Sequence, residues 1–236
     1  MKKLIIASTS TVHGSEYLGY LLPTLAVFFE KAHTILFIPY ARPSGISYDT
    51  YTEIAQKAFA KIDKKVKGIH EFENPKQALQ QADAIFTGGG NTFELVNQLY
   101  KKDVIDTLKN VVENGTPYLG TSAGSNICGV TMMNTNDMPI VYPPSFNTLN
   151  LIDFNINAHY LDPIKNSKHM GETRETRIKE YHIFNETPVL GLREGSWLAV
   201  TGNQIILKGN LPARLFQKDK EPIELAMKTE LNVLLN

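Results

Sequence analysis

Through the first half of the chain, short apolar runs closed by turn residues alternate with stretches whose apolar positions return at helical spacing. The runs KKLIIAS (2–8), HTILFIPYA (33–41), VKGIHEF (66–72), ADAIFTG (82–88) and TPYLGTS (116–122) are predicted strands. Helical spacing occupies 16–32, 48–62, 75–82 and 91–115, and Asn114-Gly115 is a good stop for the last. This alternation predicts an α/β fold with three layers, a mostly parallel sheet flanked by helices. After residue 122 the pattern changes. Segments 138–146 and 149–161 read as extended and 171–185 as a helix. The stretch 188–219 reads as consecutive hairpins turning at TGNQ (201–204) and KGNL (208–211). Antiparallel C-terminal hairpins are therefore expected beside the parallel strands. No linker or internal repeat interrupts the pattern, and residues 1–236 are expected to form one domain.

Composition changes this picture only by exclusion. Apolar residues make up 42% and charged ones 20%, which suits a folded globular chain, and a net charge of zero lacks the footprint of a nucleic-acid binder. One cysteine, Cys128, leaves neither an intrachain disulfide nor a cysteine-built zinc site. The N-terminal apolar run LIIA is too short for a signal-peptide core or a membrane span, so no membrane partner and a cytoplasmic location are expected. Scattered apolar residues define no interface, and a homodimer stays open.

The candidate chemistry centres on GTSAG, residues 120–124. With a strand before it and a helix after it, Ser122 stands on a sharp turn at the carboxyl edge of the sheet, where open α/β folds bind ligands. Side chains at Gly120 or Gly124 would crowd such a turn, and the Ala123 N–H at the helix start could donate to an oxyanion. A second glycine turn, Gly88-Gly89-Gly90, follows the neighbouring strand and is expected at the same edge; Gly89 and Gly90 are candidates for the second oxyanion donor. The same glycines could instead cradle a small anion without catalysis, although the lysine of a phosphate-binding loop is missing.

A nucleophilic serine needs a base and a group to orient it. His159 closes an extended apolar segment and is the best placed of the six histidines. His33 and His70 enter or lie in early strands, His13 sits in a loop that could reach the site, and His169 and His182 flank or end the later helix. For the orienting acid, Asp137 gives the chain order Ser, Asp, His and Glu194 gives Ser, His, Glu, and both are open. Beside Gly195 and Trp197, Glu194 could be desolvated.

Together, FIPYA, FTGGGNTFELV, GTSAGSN, NTNDMP, NAHYLDP, GETRETRI and GLREGSW, in this order along almost the whole chain, resemble the aspartyl dipeptidases called peptidase E, serine peptidases of family S51. The resemblance implies a class I glutamine amidotransferase-like (flavodoxin-like) fold and release of N-terminal aspartate from Asp-X dipeptides, with no metal or other cofactor. It implies Ser122 as nucleophile, His159 as base and Glu194 as orienter, with Asp137 a second candidate or a pocket residue. Arg174 in the Gly-Glu-Thr-Arg segment becomes the specificity residue for the aspartyl carboxylate and Asn91 a further substrate-binding residue. The dull alternative for Arg174 is an exposed helix salt bridge with Glu172, Glu175 or Glu180. Two positions depart from the resemblance, with Ala158 and Arg193 where proline is common. The rival readings are a cyanophycinase-like hydrolase of β-aspartyl linkages and a non-catalytic small-anion binder on the same fold.

Overall fold

The structure, a computed structural model, describes residues 1–163 and 170–233. The first half runs β1 (Lys3–Ala7), α1 (Leu22–Phe28), β2 (Thr34–Ile38), α2 (Tyr48–Phe59), β3 (Lys65–Gly68), α3 (Pro75–Gln80), β4 (Ala84–Thr87), α4 (Thr92–Lys101), α5 (Ile105–Glu113) and β5 (Tyr118–Thr121). The five strands are the five expected, and they pair in parallel in the order β3-β2-β4-β5-β1. Their near-continuous apolar runs follow from burial on both faces. Leu4, Ile6, Leu36, Ile38 and Ile85 point toward α3, α4 and α5, while Ile5, Ala7, Ile35, Phe37, Phe86 and Leu119 point toward α1 and α2. These are the three layers. Phe86 lies near Phe37 and Phe59, with ring centres 4.9 and 5.7 Å apart, and truncating such a ring to alanine costs about 3–5 kcal/mol.

In the first half, three segments break or stop inside their pattern for identifiable backbone reasons. The 16–32 stretch is helical only over Leu22–Phe28, because Pro23 has no N–H to offer a preceding turn and so starts the helix, while Leu18 before it has φ 58°. The 91–115 stretch breaks into α4 and α5 at Asp103, whose φ of 54° no helix can continue through. The strand expected over 66–72 stops at Gly68 and turns into a short 3-10 segment, Ile69–Glu71. Asn114 and Gly115 do end α5, Gly115 at φ 112°.

The second half adds α6 (Ala123–Asn126), β6 (Asn155–Ala158), α7 (Arg174–Phe184), β7 (Val189–Leu192), β8 (Ser196–Thr201), β9 (Gln204–Gly209), β10 (Ala213–Phe216) and β11 (Ile223–Leu225). Strand β8 pairs antiparallel with β1, and β9 with β8, giving a seven-stranded sheet. The 188–219 stretch is not a run of consecutive hairpins, however. Only β8 and β9 form one, turning at the TGNQ segment, while β7 and β10 leave for a second sheet of order β11-β10-β7-β6. The KGNL segment is thus a crossing between sheets. The two crossings touch: a Cβ at Gly209, φ 106°, would stand 2.3 Å from the Gly195 carbonyl oxygen. Of the segments read as extended, 138–146 holds no strand and 149–161 only β6.

Ile156, Leu190, Leu192 and Leu215 of the second sheet share one apolar cluster with Leu4 and Ile6. That packing brings the carboxyl ends of the parallel pair β6 and β7 to the carboxyl edge of β1 and β5. No described helix is long and apolar enough to cross a membrane.

Candidate active site

Ser122 follows β5 directly and precedes α6, at φ 53° and ψ −113°. A non-glycine residue there carries backbone strain of about 1–3 kcal/mol, which its neighbours must hold. They do so by contact. A Cβ at Gly120 would lie 2.4 Å from the Gly124 carbonyl oxygen, and one at Gly124 would lie 2.2 Å from that of Thr87 on β4. The Ser122 N–H donates to Ala7 at 3.1 Å, and the Ser125 hydroxyl is shared between the Ala7 and Gly120 carbonyls at 2.6 and 2.8 Å. The tight turn expected from GTSAG is therefore present, with both glycines required.

His159 follows β6 as expected for a strand end. Its Nε2 lies 2.9 Å from Ser122 Oγ and its Nδ1 2.6 Å from Glu194 Oε1. A carboxylate only accepts, so Nδ1 carries the proton and Nε2 is left to accept from the Ser122 hydroxyl. Glu194 reaches this position from the loop after β7. It is 48% exposed and His159 38%, so the desolvated setting anticipated for the carboxylate is not what surrounds it; Trp197 packs instead against Tyr20, with ring centres 6.0 Å apart.

The Gly88-Gly89-Gly90 turn arrives beside Ser122 as predicted from parallel pairing of β4 and β5. A Cβ at Gly89 would stand 2.9 Å from the Ser122 Cβ, and one at Gly90, φ 146°, would stand 2.2 Å from the Ala41 carbonyl oxygen. Tyr51 donates its hydroxyl to the Gly89 carbonyl at 3.1 Å. In a trans peptide the next N–H points the opposite way, so the Gly90 N–H is turned away from Tyr51. The Ala123 N–H is the first of a helix and has no intrahelical partner.

Asp137 lies elsewhere in the site. Its Oδ2 accepts from the Thr92 N–H at 2.7 Å and from the hydroxyls of Thr92 and Thr135 at 2.5 and 3.2 Å, at the N-terminus of α4. Asn91 caps the same helix, accepting from the Glu94 N–H, and donates to the Met138 carbonyl at 2.8 Å. Arg174 opens α7, and its ordinary basicity is lowered first by burial and then by Arg177, with Asp137 acting in the opposite direction. Asn91 and Asp137 thus meet at the N-terminus of α4, and the Asp137 charge is felt at Arg174. Among the described residues Arg174 makes no ion pair, whereas Arg177 faces Glu172 at 3.6 Å, so the helix salt bridge weighed for Arg174 falls to its neighbour.

Of the other histidines, His70 pairs with Asp49 and His182 with the Asn185 carbonyl, both away from Ser122, and His169 lies outside the described residues. Sequence reasoning missed Ser8. It is fully buried after β1, accepts from the His159 N–H at 2.9 Å and donates to the Leu192 carbonyl at 2.7 Å, joining three strand ends. It also missed the asparagines Asn134, Asn136 and Asn157, which tie the 134–136 segment to β6 at 2.9–3.1 Å. The repeated Asn in NTND and NIN was the available signal.

Residues 4–208 match the model of the family described as Peptidase family S51. A protein of Streptomyces coelicolor named Peptidase E is 46% identical over 233 residues, covering 99% of this chain and 95% of its own. One of Drosophila melanogaster, named "Probable alpha-aspartyl dipeptidase", is 43% identical over 99% of this chain and 98% of its own. The solved structure of a peptidase from an acI-B1 Actinobacterium superposes with a TM-score of 0.73 over 98% of this chain and 96% of that one, at 14% identity, a likeness of fold.

Proposed function

This chain belongs to peptidase family S51, and we propose that it is a serine-type dipeptidase that releases aspartate from the N-terminus of Asp-X dipeptides. The observation that carries the reading is the unbroken line of hydrogen bonds from Ser122 Oγ through His159 to Glu194, 2.9 and 2.6 Å long. The name of the relative from Drosophila melanogaster supports the substrate class, and that of the relative from Streptomyces coelicolor supports a peptidase.

The reaction is an acyl transfer. His159 Nε2 takes the proton of Ser122 as Oγ attacks the aspartyl carbonyl carbon, and Glu194 stabilises the imidazolium through Nδ1–H. The N–H groups of Gly90 and Ala123 receive the oxyanion, with the Gly89 carbonyl held off by Tyr51. The C–N bond breaks as His159 returns the proton to the departing amine of X. Water, deprotonated by His159, then attacks the ester carbon, and free aspartate leaves with the Ser122 proton restored. Arg174 receives the substrate β-carboxylate as a charge-assisted fork. Asp137, close enough to act on the Arg174 charge, is assigned to the pocket rather than to the imidazole, whose two nitrogens are already taken. Asn91 lines the same side. Residues 1–236 act as one catalytic domain, and hydrolysis of small peptides by groups of this chain and water suits a cytoplasmic setting.

The test is hydrolysis of Asp-X dipeptides beside Asn-X, Glu-X and isoAsp-X, by wild type and Ser122→Ala. Aspartate released from Asp-X by wild type alone is the expected result. Preference for isoAsp-X would move the chain to β-aspartyl chemistry, and equal turnover by Ser122→Ala would remove the nucleophile.

A further inference from the structure

We propose that Arg193 is a positioning residue for the catalytic line: its ion pair with Asp162 straps the segment carrying His159 to the segment carrying Glu194. The inference rests on the dipeptidase reading above. Arg193 stands immediately before Glu194, and Asp162 lies three residues beyond His159. All five N–H bonds of the guanidinium are engaged. Nε and Nη2 grip Asp162 at 2.8 and 2.6 Å, Nη1 and Nη2 grip Glu224 at 3.0 and 2.9 Å, and Nη1 also reaches the Pro212 carbonyl at 2.8 Å. The guanidinium lies over the Tyr160 ring, 5.5 Å from its centre, and the side chain is 12% exposed. The Asp162 carboxyl is held below the usual range, first by this hydrogen bond.

Such a strap acts beyond the main-chain ties of the two segments, which on the side of the acid include the Ser196 N–H on the Arg193 carbonyl at 3.1 Å. His159 has φ 54°, a conformation that costs a non-glycine residue about 1–2 kcal/mol and that the chain leaves unless tied. The 2.6 Å bond to Glu194 joins two part-exposed side chains and competes with water. Four ties act at or next to His159: its own N–H on Ser8, the Tyr160 N–H on the Leu192 carbonyl at 3.2 Å, the Asn136 amide on the Ala158 carbonyl at 3.1 Å and the Ala158 N–H on Asn126 Oδ1 at 3.4 Å, and all of them hold main chain no farther on than Tyr160. The Arg193 fork is the tie that holds the chain farther on, joining it to the residue next to Glu194. A lysine cannot replace it, having one nitrogen where two carboxylates must be gripped in fixed directions. Arg214, 4.0 Å from Asp162, 3.6 Å from Glu224 and 3.1 Å from Glu175, shares the neutralisation of these carboxylates, so loss of Arg193 leaves the sheet folded.

The experiment measures kcat and KM on an Asp-X dipeptide together with the rate at which a small phosphonyl fluoride labels Ser122. Wild type is compared with Arg193→Ala, Arg193→Lys, Asp162→Asn and Glu224→Gln. A displacement of the imidazole by an ångström predicts a kcat lower by about 10- to 100-fold for Arg193→Ala and Asp162→Asn. KM stays within about twofold, because Arg174 and its pocket are untouched. Ser122 labelling slows in parallel, Arg193→Lys restores only part of it, and the double variant with Asp162→Asn is no worse than Arg193→Ala. Glu224→Gln, on the other side of the same guanidinium, keeps wild-type kcat. Wild-type kcat and labelling in Arg193→Ala, or a loss in Glu224→Gln equal to that in Asp162→Asn, would overturn the strap. A wild-type Ser122 that takes no label sinks the dipeptidase reading itself, a result distinguishable because it appears before any variant is made.

Discussion

At Ser122 the backbone has one place to go, since the glycines on either side press against main-chain oxygens at distances no side chain could share. At His159 and Glu194 nothing so local operates. Those side chains meet because β6 and β7 lie in parallel in the second sheet and because polar ties from Ser8 and Arg193 hold the loops that follow. The half of the site proposed to carry the nucleophile is thus set by steric exclusion among consecutive residues. The half proposed to carry the base and its orienting acid is set by directional bonds between residues far apart in the chain. Contact by exclusion tolerates changes of charge and no added atom; a polar tie tolerates modest changes of volume and no loss of a hydrogen-bond partner.

Four substitutions or conditions separate the two halves. Glu194→Gln removes a charge and leaves the shape; kcat should fall by about 10³- to 10⁴-fold with an unchanged circular-dichroism melt. Near-normal turnover would mean that another acid orients His159. Gly124→Ala adds one methyl group 2.2 Å from the Thr87 oxygen. Overpacking of this kind costs about 1–3 kcal/mol or more, seen as a lower Tm, and displacing Ser122 cuts kcat by about 100-fold. A Gly124→Ala protein with wild-type Tm would show that the turn has room.

Asp137→Asn tests a residue near both halves that bonds to neither. It removes a charged acceptor at the start of α4, costing about 0.5–2 kcal/mol of stability, and as a pocket residue it should raise KM more than it lowers kcat. A kcat loss as large as that of Glu194→Gln would return Asp137 to the imidazole. The smallest effect is one of pH. Asp162 is held below its usual range, so its contribution is present above the unfolded carboxyl value and is lost as pH falls through the folded one. The Tm difference between wild type and Arg193→Ala should therefore be largest near neutrality and shrink in acid. With Asp162 half exposed it amounts to under about 1 kcal/mol. A difference that grew in acid would assign the stabilisation to another group.

The same contrast explains what could be read in advance. The strand positions of β1, β2, β4 and β5, the two glycine turns and the strand end at His159 are local patterns, and they stand where the sequence put them. The long helical stretches were over-read where Pro23 and Asp103 break the backbone that apolar spacing alone would continue. Over 188–219 the hairpin at 201–204 stands as expected, but the turn at 208–211 is a crossing, because alternating apolar residues say that a strand has a buried face and do not say which sheet it joins.

From its sequence alone this protein was determined to be a layered α/β chain carrying a serine on a tight turn between glycines, because each feature depends on neighbours within a few residues. Only the tertiary structure decided that Glu194 and not Asp137 stands on His159, that Ser8 joins three strand ends, and that Arg193 grips Asp162. Those bonds span distances along the chain at which no periodicity or spacing survives, and they exist only once the second sheet has packed against the first.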